Sequence, residues 1–420
     1  MKIRAVCYFI TASSLQDVAR KAQQAIPFFR DVLQRLAALG VPVQMVRFAT
    51  NSFEEYLPDG VDRKSILEAA RFLDDVCKQT TASLDGVACI MSIGDACKHV
   101  EVVADILRTS SMLFINMPLS LEGDGSSTLP KRMGVPDFAQ ALRYAEAVID
   151  LASTGGDGLI PEGPLKGMPL CFKCTITSCL LPGTPFFPGA LAPSLNPDAS
   201  VTWRSPGFSI ATENSDLVAK AFSEVPEGSG FGVARDELKK VMQEALQQID
   251  EMGHSLQADH LGVTYVGIDP SIATAAAPED SVVHTWSDLL HRCTGRAQGF
   301  GGAGTLTVSA AVTAALKSLD KIKTCGYAGL MLPQTEDDGL ARAAQNGDVS
   351  LFSLLLNSSV CGTGIDTGLV PGDTDAPELA LLFVDVATLA FRLDKPLSCR
   401  VWPVHGKAAG DLVHFGCPFF

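Results

Sequence analysis

Cys361 stands in the stretch NSSVCGTGIDTGLVPGDT, residues 357–374, which also carries Asp366, Asp373 and four glycines. A thiol becomes a nucleophile or base when a neighbouring cation or helix N-terminus depresses its pKa. Glycines at 362, 364, 368 and 372 remove side-chain bulk and permit positive φ, so this backbone can come close to another element or a ligand. Arg400, His405 and Lys407 could supply the cation if the last strand lies beside the segment. The stretch is therefore a candidate catalytic loop, with Cys361 at its tip and Asp366 as its acid.

A second group of acids lies in MLPQTEDDGLARAAQNG, where Glu336, Asp337 and Asp338 follow an expected strand. In α/β proteins ligands gather at the carboxyl ends of strands, whereas acids at a helix start also favour the helix dipole. The dipole accounts for two of the three acids, leaving one of Glu336 and Asp337 for a site. The expected catalytic set is Cys361, Asp366 and Glu336. Glu213 and Asp269, each at the end of an expected strand, join Asp337, Asp373 and Arg400 as substrate contacts.

The segment GFGGAG, residues 299–304, opens a helical pattern, and its amides at Gly301 and Gly304 could meet an anion. It follows a helix and loop rather than a strand, and no strand-ending acid lies about 20 residues on, so dinucleotide binding of the Rossmann type is disfavoured. Helix-entry packing is the simpler reading. Cys171, Cys174 and Cys179 form the one tight cysteine cluster but offer no adjacent fourth ligand, and on a strand Cys171 and Cys174 would point to opposite faces. No pair among the seven histidines has the i, i+4 spacing of a helical zinc motif. No metal site is expected, and the cofactor is left open.

These residues must be held by a βα framework. Residues 3–10 are β-rich, and apolar positions 15, 18, 22, 25, 29, 32 and 36 mark one face of a helix. Ser13 or Ser14 can cap it, Pro27 should kink it, and Gly40 suits its left-handed end. The alternation continues through strands at VPVQMVRFAT, GVACIMSIG and MLFINMPL, with helices near 63–79, 96–108 and 137–152. Strands separated by helices imply a parallel sheet with right-handed crossovers. After STGGDG and a long proline-rich loop holding Phe186 and Phe187, the pattern resumes with FSIATEN, helices near 215–224 and 234–252, and LGVTYVGIDPS. Strands are then expected at YAGLMLP, LSCRVWPV and DLVHF, with helices near 337–346 and 376–391. Long loops inside compact domains are often functional.

The chain has 420 residues, 47% of them apolar and 19% charged, which places it among well-packed globular proteins. A net charge of −14 with no basic run opposes nucleic acid and anionic membranes as partners. The apolar run at residues 5–10 is too short for an export signal, and nowhere do about 18 apolar residues run uninterrupted. A soluble cytoplasmic protein with reduced thiols is expected.

GIDPSIATAAAP, AGLMLPQTEDDGL, VCGTGIDTGLVPGDT and RVWPVHGKAAGDLVHFG together resemble an uncharacterised conserved family of bacteria and archaea, with PGTPFFPGA and IRAVCYF extending the likeness over nearly the whole chain. The resemblance implies a fold related to glycyl radical enzymes such as pyruvate formate-lyase. That fold is a ten-stranded α/β barrel of two parallel five-stranded halves, here one domain over 1–420 with half-barrels near 1–200 and 201–420. An open doubly wound sheet is the alternative. In those relatives a cysteine loop enters the barrel, and SSVCGTGIDTG is its counterpart. The radical glycine follows an Arg-Val pair, but Trp402 and Pro403 occupy its place here, so no radical is expected at Gly406 or Gly410. The reading is a non-radical enzyme, a homodimer, acting on a small polar metabolite inside the barrel. A non-catalytic metabolite-binding or scaffold protein and a carboxylate-metal enzyme are its rivals.

Overall fold

A computed structural model describes residues 1–123, 131–153, 158–197, 199–272 and 281–414. The glycine-rich break at 154–157, the end of GIDPSIATAAAP and Phe415 of the last expected strand lie outside the described residues.

The chain opens with β1 (Lys2–Ile10), α1 (Leu15–Gln24) and α2 (Ile26–Ala38). Ser14 caps α1 by accepting from the Asp17 amide, and Gly40 takes a φ of 70° after α2. The helical pattern is interrupted at Ala25, which keeps right-handed helical dihedrals, and Pro27 sits in the first turn of α2, where a ring without an N–H is tolerated. There follow β2 (Val43–Thr50), α3 (Arg63–Ser83), β3 (Cys89–Asp95), α4 (Val103–Thr109), β4 (Leu113–Pro118), α5 (Phe138–Ala152) and β5 (Cys174–Ser178). The helix expected near 96–108 is a short 3-10 turn at Val100–Val102 running into α4. Cys171 lies in another such turn ahead of β5, so the two-faces-of-a-strand expectation for Cys171 and Cys174 does not apply; both thiols are buried.

The second half contains β6 (Gly207–Glu213), α6 (Ser215–Ser223), α7 (Phe231–Asp259), β7 (Thr264–Asp269), α8 (His284–Thr294) and α9 (Thr305–Lys317). It ends with α10 (Asp338–Gln345), α11 (Leu351–Ser358), β8 (Gly364–Pro371), α12 (Ala376–Leu393) and β9 (Leu397–Val404). The described strands form one nine-stranded sheet in the order β7-β6-β1-β2-β3-β4-β5-β9-β8. Strands β1 to β5 are mutually parallel. β6 runs antiparallel to β1 and parallel to β7, and β9 runs antiparallel to β5 and parallel to β8.

Three sequence expectations are corrected. YAGLMLP forms no regular strand; the segment around it makes isolated parallel bridges, Ile268 to Thr324, Ile272 to Leu330 and Pro333 to Asp366. Residues 411–414 are irregular rather than a closing strand. The glycine-rich stretch is no free loop: α11 ends at Ser358, and β8 begins six residues later. Gly362 packs backbone to backbone, where a Cβ would stand 2.9 Å from the Gly329 Cα. Its amide donates to the Leu330 carbonyl at 2.6 Å. The missing side chain thus permits close packing of two segments.

Helices cover the sheet through apolar stripes. Tyr8 and Phe48 on β1 and β2 meet Phe28 and Phe29 of α2, with ring centroids 5.2–6.4 Å apart. Burial of such rings dominates core energetics, and truncating Phe29 to alanine would cost about 3–5 kcal/mol. Among the described residues no helix is long and apolar enough to cross a membrane.

Candidate functional site

One cavity of about 80 Å³ gathers five charged side chains, three arginines and two acids. Arg4 comes from β1, Arg47 from β2, Asp366 from β8 and Arg400 from β9; Glu336 sits just ahead of α10. Apolar walls come from Met45, Ile90, Phe114 and Met331, and the proline-rich loop closes over with Phe186, Phe187, Pro188 and Gly189. At about 10–15 Å³ per water-sized site the volume holds roughly five to eight non-hydrogen atoms.

Two of the charged residues are placed by irregularities in the strand ladders. In the β8/β9 pair the register shifts between Ile365 and Gly368, so Asp366 and Thr367 together face the single residue Arg400. Thr367 takes a φ of 46°, rare for a β-branched residue. In the β1/β6 pair the shift falls between Ile3 and Ala5, which makes Arg4 the extra residue. Bulges of this kind re-aim side chains beside functional sites.

The result is a chain of ion pairs. Arg400 donates from Nε to Asp366 at 2.7 Å and from Nη2 to Glu336 Oε1 at 2.7 Å, and its Cζ lies 5.6 Å from the Phe172 ring centre. Arg4 Nη2 donates to the other Glu336 oxygen at 2.8 Å, while Nη1 reaches Glu213 at 3.5 Å from behind the cavity. Burial opposes the Arg400 charge, but Asp366 and Glu336 outweigh it and hold its pKa above the ordinary arginine value. Arg47 differs. It is 5% exposed, and among the described residues no carboxylate pairs with it. Nη1 donates to the Pro185 carbonyl at 3.0 Å, the guanidinium lies 4.8 Å over the Phe187 ring, and the buried Nε has no partner. Burial, and next the charge of Arg4, push its pKa down to about 9, which still leaves it charged at neutral pH.

The structure brings Glu336, Asp366 and Arg400 together as the sequence expects, and it separates the other candidates. Glu213 touches Arg4 but does not line the cavity. Asp269 is fully buried behind it, accepting from Ser271 N and Oγ, Tyr327 N and Ala328 N at 2.6–3.1 Å, and burial raises its pKa. These bonds fix the backbone from which Tyr327 enters the cavity wall. Asp337 caps α10, accepting from the Leu340 and Val282 amides and the Ser281 hydroxyl. Asp373 is exposed, and neither it nor Gly301 nor Gly304 lines the cavity. Gly301 and Gly304 form the turn into α9, at φ 99° and 98°.

Cys361 stands apart as well. It is fully buried, does not line the cavity, and burial raises its thiol pKa, the reverse of what an activated nucleophile needs. The expected cations His405 and Lys407 are exposed elsewhere. Lys395 is the near one, donating to the Cys361 and Ser358 carbonyls at 2.5 and 2.9 Å. Two residues on, Thr363 does reach the cavity, with a buried hydroxyl that lacks a partner among the described residues.

Comparison with known sequences fits this arrangement to a family. The profile described as Uncharacterised ACR (DUF711) matches residues 1–416. The chain belongs to the DUF711 family. A UPF0210 protein of Pyrobaculum aerophilum is 27% identical over 411 residues, spanning 97% of this chain and 83% of that protein. A UPF0210 protein of Leuconostoc citreum is 29% identical over 234 residues, half of this chain and 51% of its own length. One of Listeria monocytogenes is 30% identical over 237 residues, with the same shares. For this DUF711 chain, sequence reasoning missed Arg4 and Arg47. The signal was present in IRAVCYFI and VPVQMVRFAT, where one arginine interrupts an otherwise apolar strand. Among the described residues no three His, Cys, Asp or Glu side chains cluster to hold a metal.

Proposed function

We propose that the chain is a non-radical enzyme that encloses a small polar metabolite in this cavity, with Glu336 and Asp366 as its acid/base pair and Arg4 and Arg400 holding them in place. The observation that carries the reading is the shared carboxylate of Glu336. Arg4 on β1 and Arg400 on β9 both donate to it, although five strand spacings, about 24 Å in a flat sheet, separate their strands. A strongly curled sheet is therefore part of the proposal. The segment 324–333, bridged to β7 on one side and β8 on the other, acts as an irregular tenth strand that closes the barrel. Five parallel strands, β1 to β5, then face five others of opposite direction. That is the arrangement of pyruvate formate-lyase-like folds, in one domain over 1–420 with halves near 1–200 and 201–420. The non-radical assignment agrees with Trp402 and Pro403 lying within β9 and with Gly406 and Gly410 exposed beyond it. A cytoplasmic homodimer completes the proposal, to be checked by light scattering and cell fractionation.

Sites poor in water strengthen the charges inside them, and a carboxylate held within reach of a ligand can act as its general base. The test is incubation of the full chain with a small-metabolite extract, followed by mass spectrometry of the extract and of the native protein. The expected result is depletion of one metabolite by the wild type and none by Glu336→Gln, which keeps the side-chain shape. Stoichiometric retention without depletion would favour the non-catalytic binder. The absence of both retention and depletion would overturn the reading.

A further inference from the structure

The cavity contains two kinds of guanidinium. Arg4 and Arg400 are paired with carboxylates within the protein, whereas Arg47, more deeply buried than either, has only a carbonyl and an aromatic face among the described residues. With Nη1 held by Pro185, the fork left open is the side formed by Nε and Nη2, which matches the two oxygens of a carboxylate. A buried charge without a counter-charge is costly, so a site that keeps one gains most from a ligand that supplies it. The surroundings of Arg47 restrict the rest of the ligand. Phe114, Phe187, Met45 and Ile90 are apolar, and Thr363 on the cavity wall carries a second buried polar atom, its hydroxyl, without a partner among the described residues.

We propose that this cavity binds a small organic monocarboxylate, its carboxylate on the Nε/Nη2 edge of Arg47, its short carbon body against Phe114 and Phe187, and a polar substituent within reach of Thr363. The assignment rests on the cavity being a ligand site and names the class of that ligand. Volume limits it to about five to eight non-hydrogen atoms. The carbon next to the carboxylate then lies in the same enclosure as Glu336 and Asp366.

The test is thermal unfolding of the full chain at constant ionic strength with propionate, butyrate, propionamide, propylamine or inorganic phosphate, repeated for Arg47→Met and Arg47→Lys. Circular dichroism establishes that each variant is folded. Carboxylates are expected to raise Tm in a concentration-dependent way, and the amide and amine to leave it unchanged. Losing a charge-assisted fork should weaken the carboxylate at least about tenfold in Arg47→Met. Arg47→Lys, which keeps the charge but not the fork, should fall between, and it serves as the test if the Met variant does not fold. Protection by the amide, amine or phosphate in place of the carboxylates, or carboxylate protection undiminished in both variants, would overturn the carboxylate assignment and leave the cavity as a ligand site. If no probe shifts Tm and the cavity retains no metabolite from an extract, both readings fall.

Discussion

Arg400 and Arg47 face the same small volume, come from the interior of two strands and are both almost withdrawn from solvent, yet their surroundings are opposite. Arg400 is gripped by two carboxylates and an aromatic ring. Arg47 is held by one carbonyl and an aromatic ring, with its Nε unused. The first guanidinium is complete as it stands and holds the proposed acid/base pair in place. The second is incomplete and awaits whatever enters. Burial alone therefore does not separate a positioning arginine from a ligand-binding one in this protein; the state of pairing does.

The largest effect is expected on the complete side. Arg400→Met leaves Asp366 and half of Glu336 buried without a counter-charge, and should lower urea-unfolding stability by about 3–5 kcal/mol. Adding Asp366→Asn should restore part of that loss, because the orphaned charge goes with it. Arg47→Met should cost far less. If the two arginine variants cost the same, Arg47 has a structural counter-charge and the contrast collapses. Next comes Asp269→Ala, which strands the buried amides of Tyr327 and Ala328. About 3 kcal/mol is expected, together with weaker ligand protection, since Tyr327 forms part of the wall.

The framework was largely legible in the sequence because it depends on local chemistry. The apolar spacing between Ser14 and Gly40, the cap at Ser14 and the proline at 27 specify these two successive helices without reference to anything distant. The site was legible only in part. Glu336, Asp366 and Arg400 could be named from their positions after or within strands, but Arg4 meets Glu336 across 332 residues of chain, and nothing local encodes that pairing. The bulges at Arg4 and Asp366 are likewise set by the partner strand. The glycines around Cys361 read as a catalytic loop because the segment they pack against, Gly329 against Gly362, is identified only in the folded chain.

Asp95 extends the comparison to a third, part-buried charge, this one with no cation paired to it among the described residues. At the end of β3 it accepts from Asn116 Nδ2 at 2.6 Å, and burial, opposed by that bond and aided by Glu54 and Glu55, raises its pKa from 3.8 to about 6. The folded state therefore holds this proton more tightly than the unfolded chain, so the stability it contributes is full below pH 3.8 and lost as pH rises through 6. Asp95→Asn should remove that dependence, gaining about 3 kcal/mol over wild type at pH 8 and nothing near pH 4. A wild-type profile flat between pH 4 and 7, once other groups are matched by the variant, would mean that Asp95 keeps its charge and has a cation within reach.

The smallest effect belongs to Cys361, and it bears on where chemistry happens. Its sulfur is sealed from solvent, its pKa is raised by burial, and its carbonyl, not its thiol, receives the Lys395 ammonium. A maleimide reagent applied to the native chain should modify partly exposed thiols such as Cys179 and Cys293 first and reach Cys361 only on unfolding. Cys361→Ala should cost about 1 kcal/mol through lost packing and leave carboxylate protection unchanged, because the cavity wall on this segment begins at Thr363. Rapid labelling of Cys361 in the folded protein, or loss of turnover in the alanine variant at unchanged stability, would move the reacting centre from the carboxylates back to the sulfur.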